Sequence, residues 1–203
     1  MTKEKKGINV LFIYPNTFGM NMLPPAIAMF TAILKKEGHS VDIFDTTYYS
    51  VDHGIDSDGS KMEKLNVAPY SMESKGIRLK NTDWKKDIKE KTNNFQPDLI
   101  AISSTEDMWE LGMRVLGEIK DYKVKNKIPV IAGGVFPTFA PDLCIKEELV
   151  DIVCVGEGEN ALIYLSKKIE NKKTYDDITN CWVKTIGPEY LKNRNIVKKN
   201  PIS

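Results

Sequence analysis

Four short segments carry the residue types in this chain that could do chemistry. They are Pro15-Asn16-Thr17-Phe18-Gly19-Met20-Asn21, Ser103-Ser104-Thr105-Glu106-Asp107, Gly133-Gly134-Val135-Phe136-Pro137-Thr138 and Gly156-Glu157-Gly158-Glu159. Each follows a short apolar, β-prone run. The paired glycines after Pro129-Val130-Ile131-Ala132 let the backbone turn, and let a bulky group lie against it with no Cβ in the way. Together the four segments offer small residues, hydroxyls, backbone amides and an exposed Phe136. That mixture suits a large, mostly apolar ligand with a polar tail. It does not suit nucleophilic or acid–base catalysis. The two histidines, His39 and His53, have no partner at catalytic or metal spacing, so each reads as a surface or turn residue. The three cysteines, Cys144, Cys154 and Cys181, are far apart and odd in number. They do not read as a metal or redox set, and Cys154 within Ile152-Val153-Cys154-Val155 reads as core.

More specific ligand motifs fit poorly. Gly156-Glu157-Gly158-Glu159-Asn160-Ala161 matches G-x-G-x-x-A, but it follows a late strand, and its two glutamates would repel a pyrophosphate. Acids at a helix N-terminus that complement the macrodipole are the simpler reading. Asn16 to Asn21 faintly resembles a flavodoxin phosphate loop, yet Phe18 and Met20 stand where small or hydroxyl residues would cradle a phosphate. Ser103-Ser104 stands where a phospho-accepting domain would want an aspartate. Ser103-Ser104-Thr105 could equally satisfy backbone groups or cap the next helix.

The elements that must position these segments alternate. Ile8 to Tyr14 reads as a strand buried on both faces, as in a parallel sheet. Pro24-Pro25 opens a helix through Ala26, Phe30, Ile33 and Leu34 that stops at Gly38. Val41 to Asp45 is a second strand. Residues 46–82 are polar, irregular and long for a connection. Asp83 suits an N-cap for a helix through Trp84, Ile88 and Phe95. Leu99 to Ser104 is strand three. Glu106 to Lys123 reads as one amphipathic helix with Met108, Leu111, Val115 and Ile119 on one face. Ile128 to Ala132 is strand four, Pro141 to Glu148 a short helix, Ile152 to Val155 strand five and Glu159 to Glu170 the last helix. Five strands alternating with helices predict an α/β, Rossmann-like (flavodoxin-like) parallel sheet with helices on both faces. The expected strand order is 2-1-3-4-5. Cys181-Trp182-Val183 and Ile196-Val197 flank Gly187-Pro188 and suggest a small hairpin. In such a sheet ligands sit beyond the carboxyl ends of the strands, so the four segments should converge on one edge.

The totals allow one good core or a domain with an appendage, at 203 residues. A net charge of +1 leaves no electrostatic footprint for nucleic acid. No apolar run is long enough to span a bilayer, and the charged start leads directly into a strand with no signal-peptide core. The expectation is a cytoplasmic protein.

With these residues laid out, the chain resembles the N-terminal cobalamin (vitamin B12)-binding domain of cobalamin-dependent radical S-adenosylmethionine enzymes. The likeness covers about residues 7 to 200. It is carried by Gly133-Gly134-Val135-Phe136-Pro137-Thr138 with Pro141, by Val155-Gly156-Glu157-Gly158-Glu159, and by the Gly38-His39-Ser40-Val41 turn and the Pro24-Pro25 helix start. The resemblance implies cobalamin lying on the carboxyl edge of the sheet. Asn16, Thr17, Phe18, Gly19 and Met20 would lie under the corrin ring. Ser103, Ser104 and Gly133, with Thr105 and Glu106 beyond them, would border the groove for the nucleotide tail. Gly134, Phe136, Pro137 and Thr138, with Gly156, Glu157 and Gly158, would flank the macrocycle.

Two departures from related proteins shape that expectation. Cobalamin mutases and methionine synthase carry D-x-H-x-x-G after strand one, and its histidine ligates cobalt. Pro15 to Asn21 has no histidine, which implies cobalamin without a histidine lower ligand. Position 136, often His in the family, is Phe. The radical enzymes also need C-x-x-x-C-x-x-C for a [4Fe–4S] cluster, which is absent from these 203 residues. The charged start over residues 1–6 reads as flexible, and the resemblance implies a cofactor domain over 7–175. Residues 176–203 would then lead toward a radical S-adenosylmethionine barrel. That partner would hold the cluster, S-adenosylmethionine and a small-molecule substrate. The chain by itself would not turn over, and the parent would perform methyl transfer or related radical chemistry. The alternatives are a flavodoxin-like carrier of electrons on flavin mononucleotide and a cofactor-free partner-binding domain.

Overall fold

Runs of β-branched residues set the strands β1 (Asn9–Tyr14), β2 (Ser40–Asp45), β3 (Leu99–Ser103), β4 (Val130–Gly133), β5 (Ile152–Cys154), β6 (Cys181–Ile186) and β7 (Asn195–Lys199). They are seen in a computed structural model that describes residues 7–17, 25–51, 74, 76, 78–186 and 195–202. One sheet joins them in the order β2-β1-β3-β4-β5-β6-β7. β1 to β5 pair in parallel, in the order the sequence predicts. The sheet nevertheless has seven strands, not five. The expected hairpin forms β6 and β7, and it continues the sheet antiparallel to β5. The physical reason is the β5 edge: a short buried strand has backbone groups that must be paired. β6 pairs them and buries Trp182 and Val183 as it does so.

The helices among the described residues are α1 (Pro25–Lys36), α2 (Trp84–Phe95), α3 (Trp109–Glu118), α4 (Lys120–Asn126), α5 (Val135–Phe139), α6 (Pro141–Cys144) and α7 (Glu159–Glu170). Pro25 opens α1, where a missing N–H costs nothing. Gly38, at φ +91°, ends its exit turn. The Asp83 carboxylate caps α2 by accepting from the Lys85 N–H at 3.0 Å. The single helix expected from Glu106 to Lys123 is two. It breaks at Ile119, whose backbone sits at φ −113°, ψ 14° and whose N–H closes a tight turn onto the Leu116 carbonyl at 3.1 Å. Ile119 is buried, and the poor helix former Gly117 stands just before the break. The helix expected over Pro141 to Glu148 ends at Cys144 and continues as turns.

Period-two alternation splits the core between the two faces of the sheet. Leu11 and Ile13 of β1 pack with Trp84, Ile88, Leu111 and Val115. Val10 and Phe12 of the same strand pack with Ile27, Leu34, Leu162 and Leu165. Each fully buried Leu or Ile contributes about 1.5–3 kcal/mol, so both layers hold the strand exits firmly in place.

Two further features stand outside the exits of β1, β3, β4 and β5. His39 lies in the turn between α1 and β2, one of the two places expected for it, and it is buried. Its Nδ1 accepts from the Ile8 N–H at 3.1 Å, and its Nε2 has no partner among the described residues. Burial pushes its pKa down, against the opposing pull of Glu170 and Glu37. The long connection over 46–82 leaves and returns at one point, a parallel bridge between Tyr49 and Lys80. Tyr49 is buried there, donates to Asp87 Oδ2 at 2.8 Å and lies under the Lys80 ammonium at 4.2 Å. The middle of that connection, with His53, lies outside the described residues. No described helix is long and apolar enough to cross a membrane.

Candidate functional site

The exits of β1, β3, β4 and β5 share one edge of the sheet, and hydrogen bonds tie neighbouring exits together. After β1 the chain runs Pro15-Asn16-Thr17, all buried. The Asn16 N–H donates to Thr46 Oγ1 at 2.8 Å, and the Thr46 hydroxyl donates back to the Asn16 carbonyl at 2.7 Å. Asn16 Nδ2 donates to Thr47 Oγ1 at 2.9 Å, and that hydroxyl donates to Asp45 Oδ1 at 2.5 Å. Asn16 therefore fastens the β1 exit to the β2 exit. Thr17 Oγ1 is buried with no partner among the described residues. Phe18, Gly19, Met20 and Asn21 lie outside them.

At the β3 exit the Ser104 N–H donates to the Gly133 carbonyl at 3.1 Å, and the Ser104 carbonyl accepts from the Phe136 N–H at 3.3 Å. The Ser104 hydroxyl donates to the Thr105 carbonyl at 2.8 Å. Thr105 Oγ1 is a second buried oxygen with no partner among the described residues. Glu106 is exposed and starts the turn into α3.

The β4 exit explains its two glycines differently. Gly134 sits at φ +100°, and a Cβ there would stand 2.9 Å from the Ser104 carbonyl oxygen and 3.0 Å from its nitrogen. Only glycine fits such a position without strain. A Cβ on Gly133 would meet nothing closer than Cys154 Cβ at 3.8 Å, so its missing side chain leaves open space along the groove. Behind them, Pro137 is buried, and the Phe136 ring meets Trp109 edge-on at 5.4 Å. Phe136 is half-buried and not the exposed aromatic expected. Phe139, one helical turn on, is 84 % exposed. The Gly156 N–H donates to Thr138 Oγ1 at 3.2 Å, which joins the β4 and β5 exits. Past β5, Gly156 has φ +86°, Glu157 is exposed, and Gly158 starts α7 with a Cβ position only 3.0 Å from the Phe30 ring.

Between these exits lies a cavity of about 50 Å³. Its apolar inner wall includes Phe12, Phe30, Cys154 and Leu162, and its rim includes Ser103, Gly133, Gly134, Gly156 and Gly158. The enclosed space takes a small group, whereas whole-ligand pockets run to several hundred Å³. A large ligand would therefore lie across the edge and send only one part inward. A larger polar hollow of about 580 Å³, lined in part by Gln96, Lys127 and Lys172, opens at the opposite edge.

Comparison with known proteins identifies the family. The B12 binding domain family matches residues 13–165, a span that contains every exit just described. The chain belongs to the B12-binding domain family. The cofactor of that family is cobalamin. A similar curated protein is cytidylyl-2-hydroxyethylphosphonate methyltransferase from Streptomyces wedmorensis. It is 23 % identical over 158 residues, covering 76 % of this chain and 26 % of that protein. The chain thus spans about a quarter of that relative's length. Among solved structures it is similar to the radical S-adenosylmethionine methyltransferase TsrM from Kitasatospora setae, with a TM-score of 0.63 at 19 % identity over 87 % of this chain and 28 % of that one. It is also similar to the cobalamin-dependent S-adenosylmethionine radical enzyme OxsB, with a TM-score of 0.67 at 16 % identity over 98 % of this chain and 22 % of that one.

For this B12-binding domain, the residues present fit the cofactor. The edge offers glycine-lined backbone, an apolar inner wall and two buried hydroxyl oxygens, Thr17 Oγ1 and Thr105 Oγ1, with no partner among the described residues. Sequence reasoning missed Phe12, Phe30, Cys154 and Leu162, which sit inside predicted strands and helices and reveal themselves only when the elements pack. It also missed Thr46 and Thr47, whose partner Asn16 is about thirty residues away.

Proposed function

We propose that this chain binds cobalamin across the exits of β1, β3, β4 and β5, without a histidine beneath the cobalt, as the cofactor domain of a radical S-adenosylmethionine enzyme. The observation that carries this reading is the glycine-lined, hydrogen-bonded edge within the family-matched span. Thr17 with Phe18, Gly19 and Met20 would lie under the ring, with Asn16 fastening that loop. Ser103, Ser104, Thr105, Glu106 and Gly133 would border the tail. Gly134, Pro137, Thr138, Gly156, Glu157 and Gly158 would flank the macrocycle, with Phe136 holding the α5 turn against Trp109. Cobalamin, when bound, supplies the redox chemistry of cobalt, and the chain supplies position and environment. The absence of a histidine ligand is supported by His39, which is spent at the opposite edge on Ile8.

The likeness to methyltransferases extends the proposal to a parent enzyme. A radical S-adenosylmethionine domain beside this one would hold a [4Fe–4S] cluster and S-adenosylmethionine and methylate a small molecule, while this chain alone has no turnover. The test is a visible spectrum after incubation with hydroxocobalamin and gel filtration. Corrin absorbance co-eluting with the protein is expected. Electron paramagnetic resonance of the cobalt(II) form should then lack splitting from an axial imidazole nitrogen. A folded chain that elutes without corrin, or a clear nitrogen splitting, overturns the corresponding half of the proposal.

A further inference from the structure

One cysteine, Cys154, lines the inner wall of the groove, and a second, Cys181, is its cross-strand neighbour. Cys154, the last residue of β5, stands directly opposite Cys181, the first residue of β6. Backbone bonds fix the character of this pair. The Val155 N–H donates to the Asn180 carbonyl at 2.7 Å, and the Lys184 N–H donates to the Asp151 carbonyl at 2.9 Å. The first bond brackets Cys154 and Cys181, and the second brackets Ile152 and Val183. Cys154–Cys181 is therefore a non-hydrogen-bonded antiparallel pair, the kind with the closer Cα atoms, about 4.5 Å apart. That spacing falls inside the range of about 4.4–6.8 Å over which a disulfide closes. Both side chains belong to the same core face, and both thiols are free.

The two sulphurs are not equivalent. The Cys154 thiol donates to the Glu157 carbonyl at 3.7 Å, and the neighbouring Cys181 thiol holds the Cys154 pKa below the ordinary thiol value, while Cys154 and burial raise that of Cys181. Cys154 also lines the groove, with its Sγ 3.8 Å from the place a Cβ would occupy on Gly158. It is the member of the pair that a small molecule entering the groove would meet, and thiolate character with access is what makes a cysteine oxidisable. Cys144 is the contrast. All three cysteines are buried, but Cys144 belongs to the other core layer, away from the groove, and its pKa is pushed up to about 12, chiefly by burial.

We propose that Cys154 and Cys181 are a redox-active dithiol, which a small hydroperoxide entering the open groove converts to a cross-strand disulfide. The Cys154 thiolate takes the terminal oxygen of the peroxide, whose O–O bond breaks, and becomes a sulfenic acid. The leaving hydroxide takes a proton and departs as water. The Cys181 sulphur then attacks the Cys154 sulphur, the S–O bond breaks, and a second water leaves with the Cys181 proton. Two thiols and one hydrogen peroxide give one disulfide and two waters. That a bound cofactor covers the groove and slows this oxidation rests on the cobalamin reading above.

The test uses the folded chain with hydrogen peroxide as the probe, followed by quenching, denaturation, alkylation and peptide mapping. The expected product is lighter by two hydrogens and links the Cys154 and Cys181 peptides, with Cys144 still alkylated. Exposed Met29 reports that the oxidant dose was sufficient. Both cysteines recovered as alkylated thiols at a dose that oxidises Met29 overturn the proposal. So does Cys154 recovered as a sulfinic acid beside a free Cys181. In Cys181→Ala the sulfenic acid on Cys154 should persist and be trapped by dimedone, and failure to trap it overturns the order of steps. Loading with hydroxocobalamin first should slow the linkage several-fold. An unchanged rate in a sample that carries corrin would move the cofactor off this groove while leaving the dithiol intact.

Discussion

The two glycines after β4 look alike in sequence and do different work, and two substitutions separate them. Gly134→Ala places a Cβ against the Ser104 backbone at a positive-φ residue. Its extended, positive-φ backbone is essentially confined to glycine and costs another residue about 1–3 kcal/mol, so the urea midpoint should fall by at least that equivalent. Gly133→Leu instead projects into the groove. Its urea midpoint should stay within about 0.5 kcal/mol of the parent, while corrin no longer co-elutes. Equal loss of stability in both variants would remove the distinction. His39 gives a pH test. Its folded pKa is lowered, so as pH falls below the ordinary histidine value of about 6.5 the unfolded chain takes up the proton first. Stability should drop through that window and level off below the folded pKa, and His39→Gln should flatten the slope in urea titrations. The glycine pair was legible because a turn is a local property. The roles of His39 and Asn16 were not, since their partners Ile8 and Thr46 are about thirty residues distant and short-range spacing holds no trace of them.

At the scale of elements, the parallel half of the sheet was written in periodicity: buried apolar runs, a Pro helix start, an Asp cap and a Gly stop. The antiparallel half was visible as a hairpin but not as an extension of the sheet, because pairing with β5 is a contact between segments with a whole helix between them. The hairpin is consequently structural. Ending the chain after Ile178 would strip the β5 edge and remove the buried Trp182 and Val183, a loss of about 3–5 kcal/mol for the tryptophan alone. Such a chain should aggregate or lose cooperative unfolding, as size exclusion and circular dichroism would register. Native-like melting of the truncated chain would make the hairpin an appendage after all. The helix break at Ile119 also escaped the pattern, since Met108, Leu111, Val115 and Ile119 keep helical spacing across it. Burial of Ile119 and the weak propensity of Gly117 decide it only in three dimensions.

For the whole molecule, the cofactor reading makes a thermodynamic demand. Four strand exits meet at the carboxyl edge; bonds from Ser104 to Gly133 and from Gly156 to Thr138 join those of β3, β4 and β5, and the bond from Asn16 to Thr46 ties the β1 exit to that of β2. A ligand lying across them binds only the folded chain, so it must raise stability by mass action. At a free concentration one hundred times Kd the gain is about 2.7 kcal/mol. For a domain of this size each kcal/mol moves Tm by about 2–4 °C, so hydroxocobalamin should raise Tm by about 5–10 °C. Gly133→Leu should abolish the shift while melting like the parent without ligand. Flavin mononucleotide at the same concentration should leave Tm unchanged, since Phe18 and Met20 stand where a flavin phosphate loop carries small or hydroxyl residues. A flavin-induced shift with none from the corrin would reverse the assignment in favour of an electron carrier. The Gly133→Leu comparison ties the outcome to this edge, because a corrin bound non-specifically to exposed Phe139 or Tyr164 would stabilise both proteins equally.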